Sequence, residues 1–319
     1  MSRDFRIDNA KGVMIILVVI GHVIEQLTSS WSSKQVSAIL YFIWCVHMPA
    51  FIMLAGITYN PKKYIQNSAN IMMLYLVFNF TYQWDLIYSG RFTVDHFLYS
   101  AWGMWFLETL FTLMIISHFL IKIKGALFIS IVISLLSGFL KFDGYILSIS
   151  RTLVFLPFFI FGVIYKCKVF EIKNTSVIFI YTILCMVVLD FSIDKKWLYG
   201  GFFYWQMNDL SIDRFMYPAI RLCIMAVSFL GCISFISFSK NNNTIITKIG
   251  RNCLSIYIIH FFIINLIKIY LPINIKEINV YEQIIFAIIT SILICLILSP
   301  DIINKTIRKI MIFGSKKRG

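Results

Sequence analysis

Ten apolar segments of roughly membrane-spanning length follow one another along this chain. Short polar loops separate them, and they occupy residues 12–28, 38–58, 70–87, 102–121, 126–140, 152–166, 175–190, 215–237, 253–271 and 281–299. A helix needs about 20 apolar residues to cross a bilayer. Hydrophobic residues make up 59% of the sequence, against roughly 45–50% in soluble domains. We therefore predict an all-α, polytopic integral membrane bundle of about ten transmembrane helices.

Positive charge is distributed unevenly between the two sides of the predicted bundle. If the N-terminus is cytoplasmic, most of the chain's 29 lysines and arginines fall in cytoplasmic segments. Such an excess is typical of cytoplasmic loops, so we predict that both termini are cytoplasmic and that the number of spans is even. The net charge of +14 is then explained by topology and by attraction to anionic membrane lipids. Basic residues spread over many short loops argue against nucleic-acid binding.

The hydrophobic segments are not interrupted by a linker rich in proline, serine or glycine. We therefore expect a single transmembrane domain over residues 1–319, without an appended soluble domain. The seven cysteines are scattered without C-x-x-C spacing. This pattern is typical of small buried side chains, and it predicts neither a metal site nor a disulfide framework.

The first apolar segment contains a histidine with two charged residues on its helical face. His22 follows Lys11 by eleven residues, which is about three helical turns or roughly 16 Å, and Glu25 lies one turn further on. Ionisable groups are costly in lipid, so they usually face a bundle interior or a water-filled cavity. A carboxylate can orient an imidazole and stabilise its protonated form, and the imidazole can then remove a hydroxyl proton. We predict that His22 is a general base.

Charged residues of other spans are predicted toward the outer side of the membrane. They include Glu108, Arg151 and Arg221. Either Glu25 or Glu108 could orient His22. Arg151 and Arg221 would lie on the path of a substrate that approaches from outside.

Three further histidines fall in or near predicted spans. His47 is expected near the midplane, where it could stabilise an oxyanion, as could Arg221 or a backbone N–H. His47 could equally be structural, because Pro49 frees a carbonyl that it could satisfy. His118 and His260, taken alone, are interpreted as groups that form hydrogen bonds between helices.

The longest predicted outer loop, about 191–214, combines aromatic rings with carboxylates. Trp197 and Trp205 are its tryptophans, and Asp194, Asp209 and Asp213 are its acidic residues. Such a surface suits a sugar, whose apolar faces stack on rings and whose hydroxyls bind carboxylates. An interfacial aromatic belt would have the same composition.

Four motifs, in order along most of the chain, resemble those of a known family. In the segment RIDNAKGVMIILVVIGH at 6–22, ten residues separate Lys11 from His22. The other three are VHMPAFIMLAG at 46–56, RTLVFLPFFIFGVIY at 151–165 and IGRNCLSIYIIH at 249–260. Together they resemble the membrane-bound acyltransferase-3 family. WFLETLF at 105–111 is similar to the subgroup of fucose O-acetylases.

The resemblance implies an O-acyltransferase that acetylates sugar hydroxyls of lipopolysaccharide O-antigen, capsule or exopolysaccharide, with acetyl-CoA as the usual donor. It also implies a multi-pass protein of the bacterial cytoplasmic membrane, with an envelope polysaccharide or a lipid-linked glycan as acceptor and glycan-assembly proteins as possible partners. The family's essential histidine corresponds to His22 and its basic partner to Lys11. We expect His22 to act as the general base or to carry the acyl group itself as an acyl-imidazole. Further catalytic roles are expected for Glu25, Glu108 and Arg221, and substrate contacts from His47, Arg151, Trp197 and Trp205.

One departure from the family pattern concerns the basic residues that bind the donor. Many members carry Arg-x-x-Arg after the second span, where this chain has Lys62 and Lys63. Lysine can attract phosphate as a point charge but lacks the bidentate fork of arginine. We expect Lys11, Lys62, Lys63 and Arg251 to attract the phosphates of acetyl-CoA. Lys11 could equally be an ordinary basic residue of the cytoplasmic side.

Two other functions are compatible with polar groups inside a membrane. A proton-coupled transporter or flippase for a glycan or glycolipid would need the same buried residues. However, no inverted repeat and no pair of broken helices at matched positions is visible. A non-catalytic scaffold of an envelope-assembly complex would tolerate substitution of both Lys11 and His22.

Overall fold

Helices form almost all of the described chain. The computed structural model describes residues 4–172, 174–192, 194–207, 214–271 and 275–311, with the side chains of Ser30, Asp190, Phe191, Ser192 and Arg214 left aside. We label its principal helices α1 (Arg6–Leu27), α2 (Lys34–Ile57), α3 (Tyr64–Tyr82), α4 (Trp105–Leu120), α5 (Ala126–Ser137), α6 (Ile149–Tyr165), α7 (Thr175–Ser192), α8 (Tyr217–Ser237), α9 (Ile245–Arg251), α10 (Cys253–Tyr270), α11 (Val280–Leu298) and α12 (Asp301–Arg308). The described residues contain no β-strand, only an isolated bridge between Tyr99 and Ile146.

Each of the ten predicted spans has a helix. Among the described residues, seven stretches are long and apolar enough to cross a membrane: Arg6–Leu27, Lys34–Ile57, Trp102–Leu120, Ile149–Glu171, Tyr217–Ser237, Cys253–Tyr270 and Val280–Leu298. Two more apolar helices, Ala126–Ser137 and Thr175–Leu189, are shorter. The all-α, polytopic membrane bundle is therefore confirmed, and the cytoplasmic location of both termini stays a prediction.

The third span differs from its predicted bounds. Its helix α3 is 19 residues long, and it begins at Tyr64 rather than near residue 70. The stretch 66–69 is mostly polar and lies outside the predicted span, but the hydroxyl of the buried Ser68 donates to the carbonyl of Ile65 and the helix continues through it. The helix ends at Tyr82, and a separate short helix, Trp84–Tyr88, follows.

The chain forms two compact units. The first comprises Met1–Phe51, Cys167–Leu198 and Met225–Lys305, and the second comprises Ile52–Lys166, Tyr199–Ile224 and Thr306–Gly319. In the first unit α1 is central, since it packs against α9, α10 and α11. Its side chains Ile15, Val19 and Val23 are fully buried. In the second unit α3 packs on α4, and α6 packs on both α4 and α5.

Glycine allows α1 and α9 of the first unit to approach each other closely. A Cβ atom on Gly12 would overlap the carbonyl of Ile246, and one on Gly250 would overlap the carbonyl of Asp8. Only hydrogen fits at these positions. The close approach places Arg251, at the end of α9, beside the first turn of α1.

Large apolar side chains cover the outside of several helices. Helix α11 exposes Tyr281, Ile285, Ile289, Leu293 and Ile297, which recur every four residues on one face. Exposed stripes of this size are unusual in water. In a bilayer they are the surface that meets lipid, and they agree with a membrane-embedded bundle.

Candidate active site

His22 and Glu25 lie one helical turn apart on α1, as their spacing predicts. His22 Nδ1 is 3.7 Å from Glu25 Oε2, and the two side chains are 19% and 23% exposed. This distance is longer than a hydrogen bond but within ion-pair range. Among the described residues His22 Nδ1 has no hydrogen-bond partner. Of the two carboxylates considered for orienting His22, Glu25 is the one that forms this contact.

Aromatic and imidazole rings from two further helices surround His22. Its ring centroid is 5.1 Å from that of Trp44 on α2, and on α10 it is 5.4 Å from His260 and 4.4 Å from Phe261. Trp44 in turn stacks on His47 at 4.6 Å. Three helices of the first unit thus bring three histidines into one cluster. We call His22, His47 and His260 the histidine cluster.

Hydrogen bonds to their own helices determine the tautomers of the two deeper histidines. His47 Nδ1 lies 2.6 Å from the carbonyl oxygen of Ile43, and His260 Nδ1 lies 3.0 Å and 2.7 Å from those of Ile256 and Tyr257. Carbonyl oxygens only accept hydrogen bonds, so Nδ1 carries the hydrogen in both rings. Each Nε2 is then an unprotonated acceptor. His47 therefore binds the carbonyl of Ile43 and not the one that Pro49 frees, and its predicted roles at an oxyanion or at the substrate stay predictions.

Burial differs within the histidine cluster. His260 is 0% exposed, whereas His22 is only half-buried. No described residue forms a hydrogen bond with His260 Nε2. No group of three or more His, Cys, Asp or Glu residues in the described ranges is arranged to hold a metal ion. The histidine cluster offers unprotonated Nε2 atoms, and Glu25 adds a carboxylate beside His22. This combination suits proton transfer.

Lys11 and Arg251 lie toward the other end of α1. Arg251 Nε donates to Asp8 Oδ2 at 3.3 Å, and its guanidinium is 5.3 Å from the centre of the Phe5 ring. Lys11 is half-buried on α1, about 16 Å along the helix from His22. The structure therefore places the two predicted donor-binding residues of the first unit at one end of the helix that carries His22.

A groove of about 490 Å³ opens beside the same end of α1. Asn9 and Val13 line it together with Phe179, Phe235 and Lys240. Two residues of offset place Asn9 and Val13 on nearly the opposite face of the helix from residue 11. The groove is therefore separate from the face that carries Lys11 and His22.

Glu108 is buried in the second unit among hydroxyl groups. It is 3% exposed, and its Oε2 accepts hydrogen bonds from Ser100 Oγ at 2.5 Å and Ser148 Oγ at 2.7 Å. Two donors satisfy the carboxylate where it lies. These contacts indicate that Glu108 organises the segments before α4 and α6, and its catalytic role stays a prediction.

Arg151, at the start of α6, is sandwiched between aromatic rings. Its guanidinium carbon is 4.6 Å from the ring centres of both Trp105 and Tyr145, and its Nε donates to the carbonyl of Tyr199. Burial raises the pKa of the Tyr145 phenol, while the positive charge of Arg151 opposes this shift. The arrangement keeps a positive charge and two rings together, which suits a polar ligand with apolar faces.

Arg221 is engaged with the backbone. It is 6% exposed, and it donates to the carbonyls of Ser134 and Phe202 at 3.1 Å and 3.0 Å. Its guanidinium lies 4.5 Å from the centre of the Tyr204 ring. These contacts connect α8 to α5 and to the loop around Tyr204. They support a structural role, and the predicted catalytic role of Arg221 remains untested.

The predicted aromatic outer loop is divided between surface and interior. Trp197 is 6% exposed, whereas Trp205 is 41% exposed. Asp194 Oδ1 accepts a hydrogen bond from the backbone of Lys196, and Asp209 and Asp213 lie outside the described residues. Of the two tryptophans, Trp205 therefore presents the larger ring surface for stacking.

Lys62 and Lys63 lie in the second unit, on a short 3₁₀ turn before α3. Both are exposed, and Asn60 Oδ1 caps the turn by accepting from the backbone of Lys62. Their ammonium groups project from the surface. This exposure is compatible with the predicted attraction of phosphates.

Comparison with known proteins identifies the family. The acyltransferase-3 family model, described as an acyltransferase domain, matches residues 4–300. The chain belongs to the acyltransferase-3 family. No curated protein and no solved structure matches the sequence of this acyltransferase. The match confirms the family expected from the four motifs, and it identifies the family rather than a subgroup. The protein is therefore a membrane acyltransferase.

Reasoning from individual positions does not place three neighbours of His22, namely Trp44, His260 and Phe261, beside it. Trp44 and Phe261 have no polar signal, and His260 was interpreted as a group that bonds one helix to another. The late motif at 249–260 carries His260 at its end. That motif was the signal that could have placed His260 in the site.

Proposed function

We propose that this membrane acyltransferase transfers an acetyl group from cytoplasmic acetyl-CoA to a sugar hydroxyl of a cell-envelope glycan, with His22 as the general base. Family membership supplies acyl transfer as the class of reaction. The observation that carries the proposal is the His22–Glu25 contact of 3.7 Å. It places a carboxylate beside the most accessible imidazole of the histidine cluster.

The proposed step moves one proton and one acetyl group. His22 removes the hydroxyl proton while the hydroxyl oxygen attacks the thioester carbonyl, and the carbon–sulfur bond then breaks. The thiolate that leaves recovers the proton from His22. Glu25 stabilises the protonated imidazole between these events because its negative charge lies beside Nδ1.

A covalent route would use the same residues. In that route His22 attacks the thioester, carries the acetyl group as an acyl-imidazole and passes it to the sugar hydroxyl. Both routes require an unprotonated His22 and a nearby carboxylate. Replacing His22 therefore tests the proposal whichever route operates.

Donor binding is assigned to the basic end of α1. Lys11 and Arg251 would attract the phosphates of acetyl-CoA, and the sequence assigns the same role to Lys62 and Lys63. Lys11 and His22 are about 16 Å apart along α1. The part of acetyl-CoA between its phosphates and its thioester would have to span this distance. Asp8 offsets part of the charge of Arg251, so Lys11 is the stronger candidate.

Acceptor binding is assigned to His47, to Arg151 and to the aromatic outer loop, chiefly Trp205 and also Trp197. Sugars present apolar faces to aromatic rings and hydroxyls to charged groups. The two rings that flank Arg151 supply both kinds of contact. The expected acceptors are O-antigen, capsule or exopolysaccharide, or a lipid-linked precursor. This assignment also proposes the bacterial cytoplasmic membrane as the location and glycan-assembly proteins as partners.

The decisive experiment replaces His22 in the cell that makes the glycan. His22→Ala should abolish O-acetylation of the surface glycan, measured by NMR, while membrane insertion is unchanged. His118→Ala is the matched control, because His118 stacks on Tyr64 in the second unit and is not in the histidine cluster. Full acetylation in the His22→Ala cells would refute the proposal.

A second variant tests the donor assignment. Lys11→Met should raise the KM for acetyl-CoA and leave kcat nearly unchanged, because it removes an attraction made equally in the ground state and the transition state. Lys248→Met, an exposed change on α9, is the control for loss of positive charge.

A further inference from the structure

The groove beside the first turns of α1 is built entirely from the first unit. Helix α1 contributes Asn9 and Val13 to its lining, α7 contributes Phe179, and the end of α8 contributes Phe235. Its volume of about 490 Å³ falls in the range of pockets that hold small molecules. The groove therefore has room for a ligand.

The floor of the groove is apolar. The ring of Phe179 packs edge-on against those of Phe235 and Phe238, with centroids 5.4 Å and 5.7 Å apart. Val13 and Ile246 add aliphatic side chains to the lining. Phe238 is 46% exposed, so part of this surface is open. Such a floor favours an apolar chain as the occupant.

The groove adjoins a surface that meets lipid. Helix α7 begins at Thr175 and α8 ends at Ser237, so Phe179 and Phe235 each lie within about one turn of a helix end. These ends and the first turns of α1 place the groove at one boundary of the apolar layer. Beside Phe179, successive turns of α7 expose large apolar side chains: Val177, Ile180, Leu184 and Val188. A chain of the bilayer can therefore enter the groove from this side.

A positive charge lies at the rim of the groove. Of the ten described residues that line it, Lys240 alone is ionisable, and its side chain is exposed. Asn9 Nδ2 donates to the carbonyls of Lys240 and Asn242 at 2.7 Å and 2.9 Å. Asn9 Oδ1 in turn accepts from Thr247 at 2.6 Å. The loop that carries Lys240 is thus attached to α1 by a side chain that is only 6% exposed.

The reaction at His22 does not account for this groove. Nine residues separate Val13 from His22 in sequence, which places the two on opposite sides of α1 and roughly 13 Å apart along its axis. A molecule in the groove therefore lies away from His22, and its occupant is not a reacting substrate.

We propose that the groove binds an anionic phospholipid of the bilayer. One acyl chain lies against Phe179, Phe235 and Phe238, and the headgroup phosphate lies next to the ammonium group of Lys240. The bound lipid contacts α1, α7 and α8 together, so it stabilises the first unit. This proposal does not depend on the reaction that is proposed for His22.

Native mass spectrometry of the full chain, purified in detergent, tests the charge at the rim. The probes are phosphatidylglycerol, which is anionic, and phosphatidylcholine with the same oleoyl chains, which has no net charge. Phosphatidylglycerol should bind more tightly, and Lys240→Met should weaken its binding about five-fold without changing that of phosphatidylcholine. Lys248→Met is the matched control, because Lys248 is exposed on α9 and does not line the groove. Equal affinities for the two lipids, or equal losses in the two variants, would overturn the proposal.

A second variant tests the apolar floor. Val13→Trp adds a ring inside the groove and keeps Lys240, and it should abolish the preference for phosphatidylglycerol. Ile289→Trp, at an exposed position of α11, is its control and should keep the preference. Unchanged binding in Val13→Trp would overturn the proposal.

A measurement on the unchanged protein covers the case in which Val13→Trp misfolds. The midpoint of thermal unfolding should rise more with phosphatidylglycerol than with phosphatidylcholine or inorganic phosphate. A rise of the same size with inorganic phosphate would show that the site takes an ion rather than a lipid, and it would overturn the proposal.

Discussion

Glu25→Gln removes the charge next to His22 and keeps the shape of the side chain. In the wild type the carboxylate oxygen is 3.7 Å from Nδ1. At this separation Coulomb's law gives an attraction to the protonated ring of about 1 kcal/mol at the dielectric constant of water and about 4.5 kcal/mol at an effective value of 20. Both side chains are about one-fifth exposed, so the true value lies between these limits.

This attraction acts when His22 holds the hydroxyl proton. Its loss should therefore lower kcat by roughly 5-fold to 2000-fold, since each 1.4 kcal/mol is a factor of ten. The KM for acetyl-CoA should change little, because neutral His22 in the ground state gains little from the carboxylate. Glu25→Asp keeps the charge but shortens the side chain, and it should have an intermediate rate.

The assay follows release of the CoA thiol in vesicles that contain the native glycan, with acetyl content of the glycan measured by NMR. Glu171→Gln is the matched control, because Glu171 is an exposed residue of the first unit outside the histidine cluster. A Glu25→Gln protein with wild-type kcat would refute the argument that Glu25 stabilises protonated His22. A fall in Glu171→Gln as large as in Glu25→Gln would also refute it.

Two further predictions concern stability. Gly250→Val should lower the free energy of unfolding by about 3 kcal/mol, because any side chain at this position overlaps the Asp8 carbonyl. Thermal unfolding in detergent tests this, and an effect no larger than that of Lys248→Val on the same helix would contradict it. Arg221→Met should cost about 3 kcal/mol, because the carbonyls of Ser134 and Phe202 lose a charged donor. An unchanged unfolding midpoint with lost activity would instead favour the catalytic role.

The sequence predicts best those features that depend on residues close together in the chain. Hydropathy predicted ten helices because backbone groups inside a bilayer must form hydrogen bonds within their own segment. It places the start of α3 too late because the polar residues 66–69 lower the mean hydropathy, although the helix continues through them. The predicted aromatic loop shows the same limit, since composition does not distinguish the buried ring of Trp197 from the exposed ring of Trp205.

In the candidate site, too, residues on one helix are predictable from the sequence and residues on distant helices are not. Lys11, His22 and Glu25 were assigned to one face because they share one helix, where the position of each side chain follows from a fixed rise and rotation per residue. His260, taken alone, is interpreted as a group that bonds one helix to another, and it lies 238 residues away from His22 in sequence. The periodicity of one helix does not indicate which residues of another helix pack beside it.

The class of fold, the family and the charged face of the first helix can all be predicted from the amino-acid sequence. These properties depend on local composition, on periodicity within one segment and on short motifs. The tertiary structure decided that α2 and α10 pack beside His22 and that Nε2 of His260 is left as a buried acceptor. The physical reason is that packing joins residues that are far apart in sequence, and that the tautomer of a buried imidazole depends on which carbonyls its own helix presents to it.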